Sequence, residues 1–145
     1  MTLPVVLDAA GIDALADPRP PALFRALLQE AWSRDRDVLL PAVVCAEACR
    51  GAARTRRVEA AVARHRVEVG QRPPVRVVDT DFALARQVGA VLHGADADSS
   101  DIIDAHVVAV CVGYGGGLVV TADGDDIDRL AQAVPSARVI IRSPR

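Results

Sequence analysis

The chain has 145 residues, about half of them apolar and a quarter charged, with a formal net charge of −2. That length suits one domain with a proper core, the composition excludes a disordered chain, and the near-neutral charge gives no global sign of a nucleic-acid partner. No apolar run approaches the ~20 residues of a membrane span, which excludes that class of helix.

With one Trp, one Tyr and two Phe, the core has to be built from Val, Ala, Leu and Ile. The first apolar stretch, LPVVL, is short and meets Asp8 at once, so it is no secretory signal and a cytoplasmic protein is expected. Three cysteines, an odd number, argue against a disulfide framework. All seventeen basic residues are Arg, and they are unevenly placed. Arg50, Arg54, Arg56, Arg57, Arg64, Arg66, Arg72 and Arg76 face only Glu59 and Glu68 in their stretch. From Asp96 to Asp128 the sign reverses, through Asp98, Asp101, Asp104, Asp123, Asp125 and Asp126, with no arginine before Arg129.

In chain order, LPVVLDAA (3–10) is an apolar run ending in Asp8 and reads as a buried parallel strand. Asp17 and Pro18 close the next short segment. PALFRALLQEAWSR (21–34) has helical spacing and a Pro suited to a first turn. DVLLP (37–41) is a second buried strand. Residues 42–66 are helical with a break near Gly51, and VRVVD (75–79) is a third strand behind the breaker pair Pro73 and Pro74. Asp79 or Thr80 is the expected cap of a helix over 81–93 that ends at Gly94. GADADSS is a loop whose serines can cap the helix of DIIDAHVVAVC (101–111). GYGGG then turns into a fourth strand, LVVT (118–121), DGDDIDRLAQAV opens a helix, and ARVIIR (137–142) is a fifth strand. Strands alternating with helices predict an α/β fold: a single domain over 1–145, with a central parallel sheet of about five strands flanked by helices.

In the helix at 101–111, Asp104 shares a face with Val107, Val108 and Cys111. An isolated ionised carboxylate in apolar surroundings is expensive unless it is neutralised, paired or bound to a cation. Ligands of open parallel sheets sit beyond the carboxyl ends of the strands. Asp8 ends the first strand, Asp123 follows the fourth with Asp125 and Asp126 behind it, and Glu47 lies on the helix after the second. No base stands near these acids in sequence. Hard divalent cations relieve such repulsion, and an all-oxygen set selects Mg²⁺ or Mn²⁺ over zinc. Two such ions about 4 Å apart would clamp the attacking and leaving oxygens of a phosphodiester.

Plainer readings stand beside these. Asp101 and Asp123 also suit the first turns of helices, and Asp8 equally suits a helix cap. Asp125 and Asp128 read as solvated. Cys45 and Cys49, at i and i+4, lack a second pair of zinc ligands and read as small buried hydrophobes. His106 follows Asp104 and could touch substrate, though a surface or packing histidine is the plainer reading, and His65 and His93 read as favourable cations at helix ends. GYGGG lacks the Lys and Ser/Thr of a phosphate-binding loop.

LDAAGIDAL, AVVCAEACRG, ARQVGAVL, DIIDAHVVAVC and LVVTADGDDIDRL, in that order and spacing, resemble the PIN-domain family, in particular its VapC-type toxins. The resemblance spans essentially the whole chain. It implies a metal-dependent ribonuclease, usually dimeric, restrained by a cognate antitoxin. Position by position it implies that Asp8, Glu47, Asp104 and Asp123 are the catalytic and metal-holding acids, with Asp126 a further metal ligand. It also aligns Thr121 with a hydroxyl that relatives tend to carry. The arginines Arg50, Arg54, Arg56 and Arg57 are the natural contacts for an RNA backbone, or equally for a protein partner. Scarce aromatics argue against broad base stacking. Three alternatives stay open: an RNA-processing nuclease of the same family without a toxin role, a non-catalytic domain, and a receiver-like acidic pocket. The last of these wants a Lys, and this chain has none.

Overall fold

A computed structural model describes residues 2–66 and 75–145. Arg72, Glu68 and the pair Pro73 and Pro74 lie outside the described residues. Five strands, β1 (Val5–Leu7), β2 (Val38–Pro41), β3 (Val75–Val78), β4 (Gly116–Val120) and β5 (Arg138–Arg142), form one sheet in the order β3-β2-β1-β4-β5. Every neighbouring pair is parallel. Successive strand residues point to opposite faces, and Val5, Val6 and Leu7 are all buried, so both faces of the sheet centre are covered. The continuous apolar runs of the sequence have this cause.

The covering helices are α1 (Ala9–Ala16), α2 (Ala22–Ser33), α3 (Ala42–Ala48), α4 (Ala52–Arg66), α5 (Phe82–Gly94), α6 (Ile102–Gly113) and α7 (Gly124–Ala131). α6 packs on β1, β2, β4 and β5, and α5 and α7 pack against it in turn. Its residues from Ala105 to Cys111 are all buried. On the other flank α1 packs against α3 and α4. The expected break falls at Gly51, whose φ of +89° suits glycine best, and the Thr55 hydroxyl reaches the Cys49 and Gly51 carbonyls beside it.

The chain steps outward from β1 to β2 to β3, then crosses to the far side of β1 for β4 and β5. The order therefore reverses between β1 and β4, and the crevice beyond their carboxyl ends is the topological switch point.

Three local expectations change. The cap of α5 is Asp81, whose Oδ1 accepts from the Leu84 N–H at 2.8 Å, and neither Asp79 nor Thr80 serves. At the loop before α6, Asp98 rather than a serine accepts from the Ser100 N–H, capping a single 3₁₀ turn (Ser99–Asp101) that leads into the helix. Asp, Ser and Thr are near-equivalent caps, so the backbone path decides among neighbours. The glycine run is also not all turn, because Gly116 and Gly117 already belong to β4.

Gly116 has φ +146°, and a Cβ there would lie 2.5 Å from the Arg138 carbonyl oxygen across the β4–β5 pair. Gly116→Ala should therefore cost roughly 2 kcal/mol or more, a fall in Tm of about 4–8 °C for a chain of this size. Gly113→Ala, with open space around its Cβ position, should be near neutral in the same thermal melts.

Candidate active site

Asp8 follows the last residue of β1 and is buried, with 9% of its surface exposed. Its position is fixed from three directions. It is the N-cap of α1, its Oδ1 accepting from the Gly11 N–H at 3.1 Å. It also accepts from the Ala10 N–H and from the Thr121 hydroxyl. Thr121 is itself 2% exposed and follows β4 directly, and its Oγ1 accepts from the Asp123 N–H at 2.9 Å. One hydroxyl thus ties the ends of β1 and β4 together and sets the backbone of a second acid. The cap and site readings of Asp8 are compatible: one oxygen serves the helix, and the group still faces the crevice between the strands.

Asp104 enters from above, in the first turn of α6, half-buried. Burial first, then the charges of Asp126, Asp8, Asp123 and Asp101, push its carboxyl up to about 6. Burial likewise raises Asp8, against the hydrogen bonds from Thr121, Gly11 and Ala10, and the Asp123 charge adds to the rise. Asp123 is exposed at the N-cap position of α7, with no side-chain cap bond, so its carboxylate is left for other use. Asp126 is exposed one turn on. The switch point therefore gathers Asp8, Asp104 and Asp123, with Asp101 and Asp126 around them. Glu47 stands half-buried in the last turn of α3 and is not among the acids that raise Asp8 or Asp104.

A counter-ion that sequence reading missed is present. Arg129 Nη2 lies 2.9 Å from Asp101 Oδ1 and 3.9 Å from Asp126 Oδ1. The i, i+3 spacing of Asp126 and Arg129 on α7 was the available signal. The contact to Asp101, 28 residues away, required the fold.

The donors at this edge are all carboxylate oxygens, which suits a hard cation. Among the described residues no three His, Cys, Asp or Glu side chains are drawn tightly enough to cage an ion. Like charges spread apart in this way, and Mg²⁺, which keeps several waters, needs only one or two direct carboxylates. The donor set therefore fits Mg²⁺ or Mn²⁺. The thiols do not compete. All three cysteines are free, and burial pushes Cys45 up to about 11 and Cys111 to about 12. His106 is buried with Nδ1 2.7 Å from the Ile102 carbonyl oxygen, a packing residue and not a surface one.

Arg50, in the break between α3 and α4, is exposed, as are Arg54, Arg56 and Arg57 on α4. Arg54 Nη2 is already paired with both Asp13 oxygens, at 2.9 and 3.1 Å. A groove of about 490 Å³ includes Asp13, Arg54 and Arg57 in its walls and extends to Ala10 and Ala122, neighbours of Asp8 and Asp123. The basic helix and the acidic edge thus open on one surface.

The model of the PIN domain matches residues 5–133. The chain belongs to the PIN-domain family. No curated protein matches it. Among solved structures, the complex described as FitAB bound to an IR36 DNA fragment is similar over 97% of this chain and 94% of that one, with a TM-score of 0.62 and 18% identity. VapBC2 from Rickettsia felis, bound to a DNA fragment from their promoter, is similar over 97% and 98%, with a TM-score of 0.64 and 12% identity. At such identities these likenesses show the fold. The PIN topology agrees with the α/β architecture expected from the sequence.

Asp104 gives a pH prediction for the metal-free protein. Its folded value, about 6, lies above the ordinary 3.8, so the stability it contributes is present below pH ~4 and lost as pH rises through 6. In EDTA, Tm should fall between pH 4 and 6, and Asp104→Asn should remove part of that fall and melt higher than the parent at pH 7.5. Parallel thermal melts of the two proteins across pH check both outcomes.

Proposed function

We propose that the chain is a metal-dependent endoribonuclease acting as the toxin of a toxin–antitoxin pair. The observation that carries this reading is the meeting of Asp8, Asp104 and Asp123 at the β1/β4 switch point of a PIN fold. A gathering of acids that repel one another around a buried carboxylate is costly to keep for packing alone, and it suits the binding of a divalent cation next to a phosphodiester.

In this reading Asp8 and Asp104 hold the ion, Asp123 completes its surroundings or orients the attacking water, and Glu47 and Asp126 take outer positions. Bound Mg²⁺ or Mn²⁺ supplies Lewis-acid stabilisation of charge developing on the phosphoryl group and lowers the pKa of water. The chain does the rest. Thr121 and the first turn of α1 keep the Asp8 oxygens fixed, which limits the reorganisation left for the reaction itself. Asp104 is carried by a helix whose next seven residues are buried, which fixes its backbone. Arg57 in the groove wall, with Arg50 and Arg56 exposed on the same segment of chain, offers phosphate contacts, while Arg54 must first part from Asp13.

The partners proposed with this function are an RNA substrate, a cognate antitoxin and a second copy of the chain. Support for the antitoxin comes from FitAB and VapBC2 being two-component complexes with matching folds. Cytoplasmic action follows from the same reading. The receiver-like alternative loses ground to the absence of any lysine. An RNA-processing nuclease of the same family differs only in target and partner.

Purified protein freed of antitoxin should cut total cellular RNA into discrete fragments with Mg²⁺ or Mn²⁺ and not with EDTA. Asp8→Asn and Asp104→Asn should each lose at least about 100-fold in rate. Cleavage that persists in EDTA, or in both variants, would overturn the assignment. On the binding side, Arg57→Ala should weaken affinity for RNA and reduce the slope of log K against log salt by about 1. Arg54→Ala should change that slope less, because its charge is already matched by Asp13.

A further inference from the structure

The stretch of chain beyond β5 returns to the neighbourhood of the site. At the end of β5 the Arg142 carbonyl accepts from the Thr121 N–H at 2.9 Å, and Thr121 is the residue whose hydroxyl holds Asp8. Residues 143–145 therefore leave the sheet from a point already locked to the site. They do not run out into solvent, because all three form part of the wall of the groove that reaches Ala10 and Ala122. Pro144 is buried there. Its fixed φ, and the extended backbone it favours at Ser143, leave this short stretch few other paths. The Arg145 N–H turns back to Ser143 Oγ at 3.3 Å, and Arg145 itself is exposed at the groove.

We propose that Arg145 is a further RNA-binding residue of this chain, gripping a backbone phosphate in the groove together with Arg57. The inference rests on the ribonuclease reading above and adds a contact from a part of the sequence remote from the basic segment. Of the arginines in the groove wall, Arg54 is matched by Asp13. Arg57 and Arg145 form no ion pair among the described residues, and Asp17 is the other carboxylate in that wall. Two guanidinium groups on separate elements, α4 and the stretch after β5, suit an anion that spans both. A guanidinium stays charged at any working pH, and its planar fork matches two oxygens of a phosphate. RNA carries such anions at regular intervals, so one phosphate can lie at the acids while others meet the arginines along the groove. An acidic protein segment would find the same arginines, but offers the acidic edge no phosphodiester. Burial of Pro144 matters to affinity, because an arginine on a loose tail would lose more freedom on binding than one already placed.

Binding of a fluorescein-labelled RNA hairpin to the intact chain, followed by fluorescence anisotropy in EDTA over a series of salt concentrations, tests this apart from cleavage. Arg145→Ala should weaken binding roughly 3- to 10-fold and reduce the slope of log K against log salt by about 1. Arg145→Lys, which keeps a charge at that place, should restore most of the slope. Arg138→Ala removes the same charge at the opposite, amino end of β5 and should leave the slope as it is. A parent-like slope in Arg145→Ala would overturn the proposal and leave this arginine to an acidic protein partner. An equal fall in Arg138→Ala would overturn it too, since net charge alone would then explain the effect. A parent that binds no RNA defeats the RNA reading together with this one, whereas a slope lowered in Arg57→Ala but not in Arg145→Ala defeats this one alone.

Discussion

Like-charge repulsion at the carboxyl ends of β1 and β4 is the constraint around which the molecule is arranged. A carboxylate ending a fully buried strand must be anchored or it will turn away toward water. Asp8 is anchored by two backbone amides of α1 and by the Thr121 hydroxyl, and the same hydroxyl accepts from the amide of Asp123. The β1–β4 register, which pairs Leu7 with Val120, brings Asp8 and Thr121 level. A slip of one residue would point Thr121 to the opposite face and leave Asp8 buried without its donor. Strand pairing and site geometry are therefore one and the same requirement.

The charges divide the labour. Arginines on α4 stand outside the acidic crevice, in a groove that reaches Ala10 and Ala122 close by it. Arg54 is matched by Asp13 across α1 and α4, so part of the basic segment serves to fasten helices together. Arg129 does a comparable job between α7 and the start of α6. Neither pair is deeply buried, and each contributes little to stability alone. Their effect is to decide which charges remain available to something arriving from outside.

Much of this was legible in the chain. The apolar runs at 5–7, 38–41 and 118–120 announced strands buried on both faces, because only a covered parallel sheet tolerates such continuity. The acids at Asp8, Asp104 and Asp123 stood out because each sits at the edge of a stretch that must be buried. What escaped was of two kinds. Caps exchanged places with neighbours of similar chemistry, as at Asp81 and Asp98, since capping depends on backbone angles that a residue's identity does not set. Long-range pairs such as Arg129 with Asp101 and Arg54 with Asp13 depend on which helices meet, and no local periodicity encodes that. Glu47 was read as completing the ion's surroundings together with Asp123; it stands half-buried on α3 and is not among the charges that act on Asp104.

The burial of α6 has a consequence for how the protein comes apart. Asp104 heads a helix whose next seven residues are all inaccessible, and Cys111 at the far end packs against Gly117, where an added Cβ would fall 2.7 Å from its sulfur. Such a segment has no cheap opening of its own, so its excursions approach the free energy of complete unfolding. A thiol reagent would reach Cys111 only in molecules that had lost the whole fold, while half-buried Cys45 and Cys49 sit on the shorter α3 and its cap. The chain thus carries its own clock for global opening, built into the same helix that positions the acid.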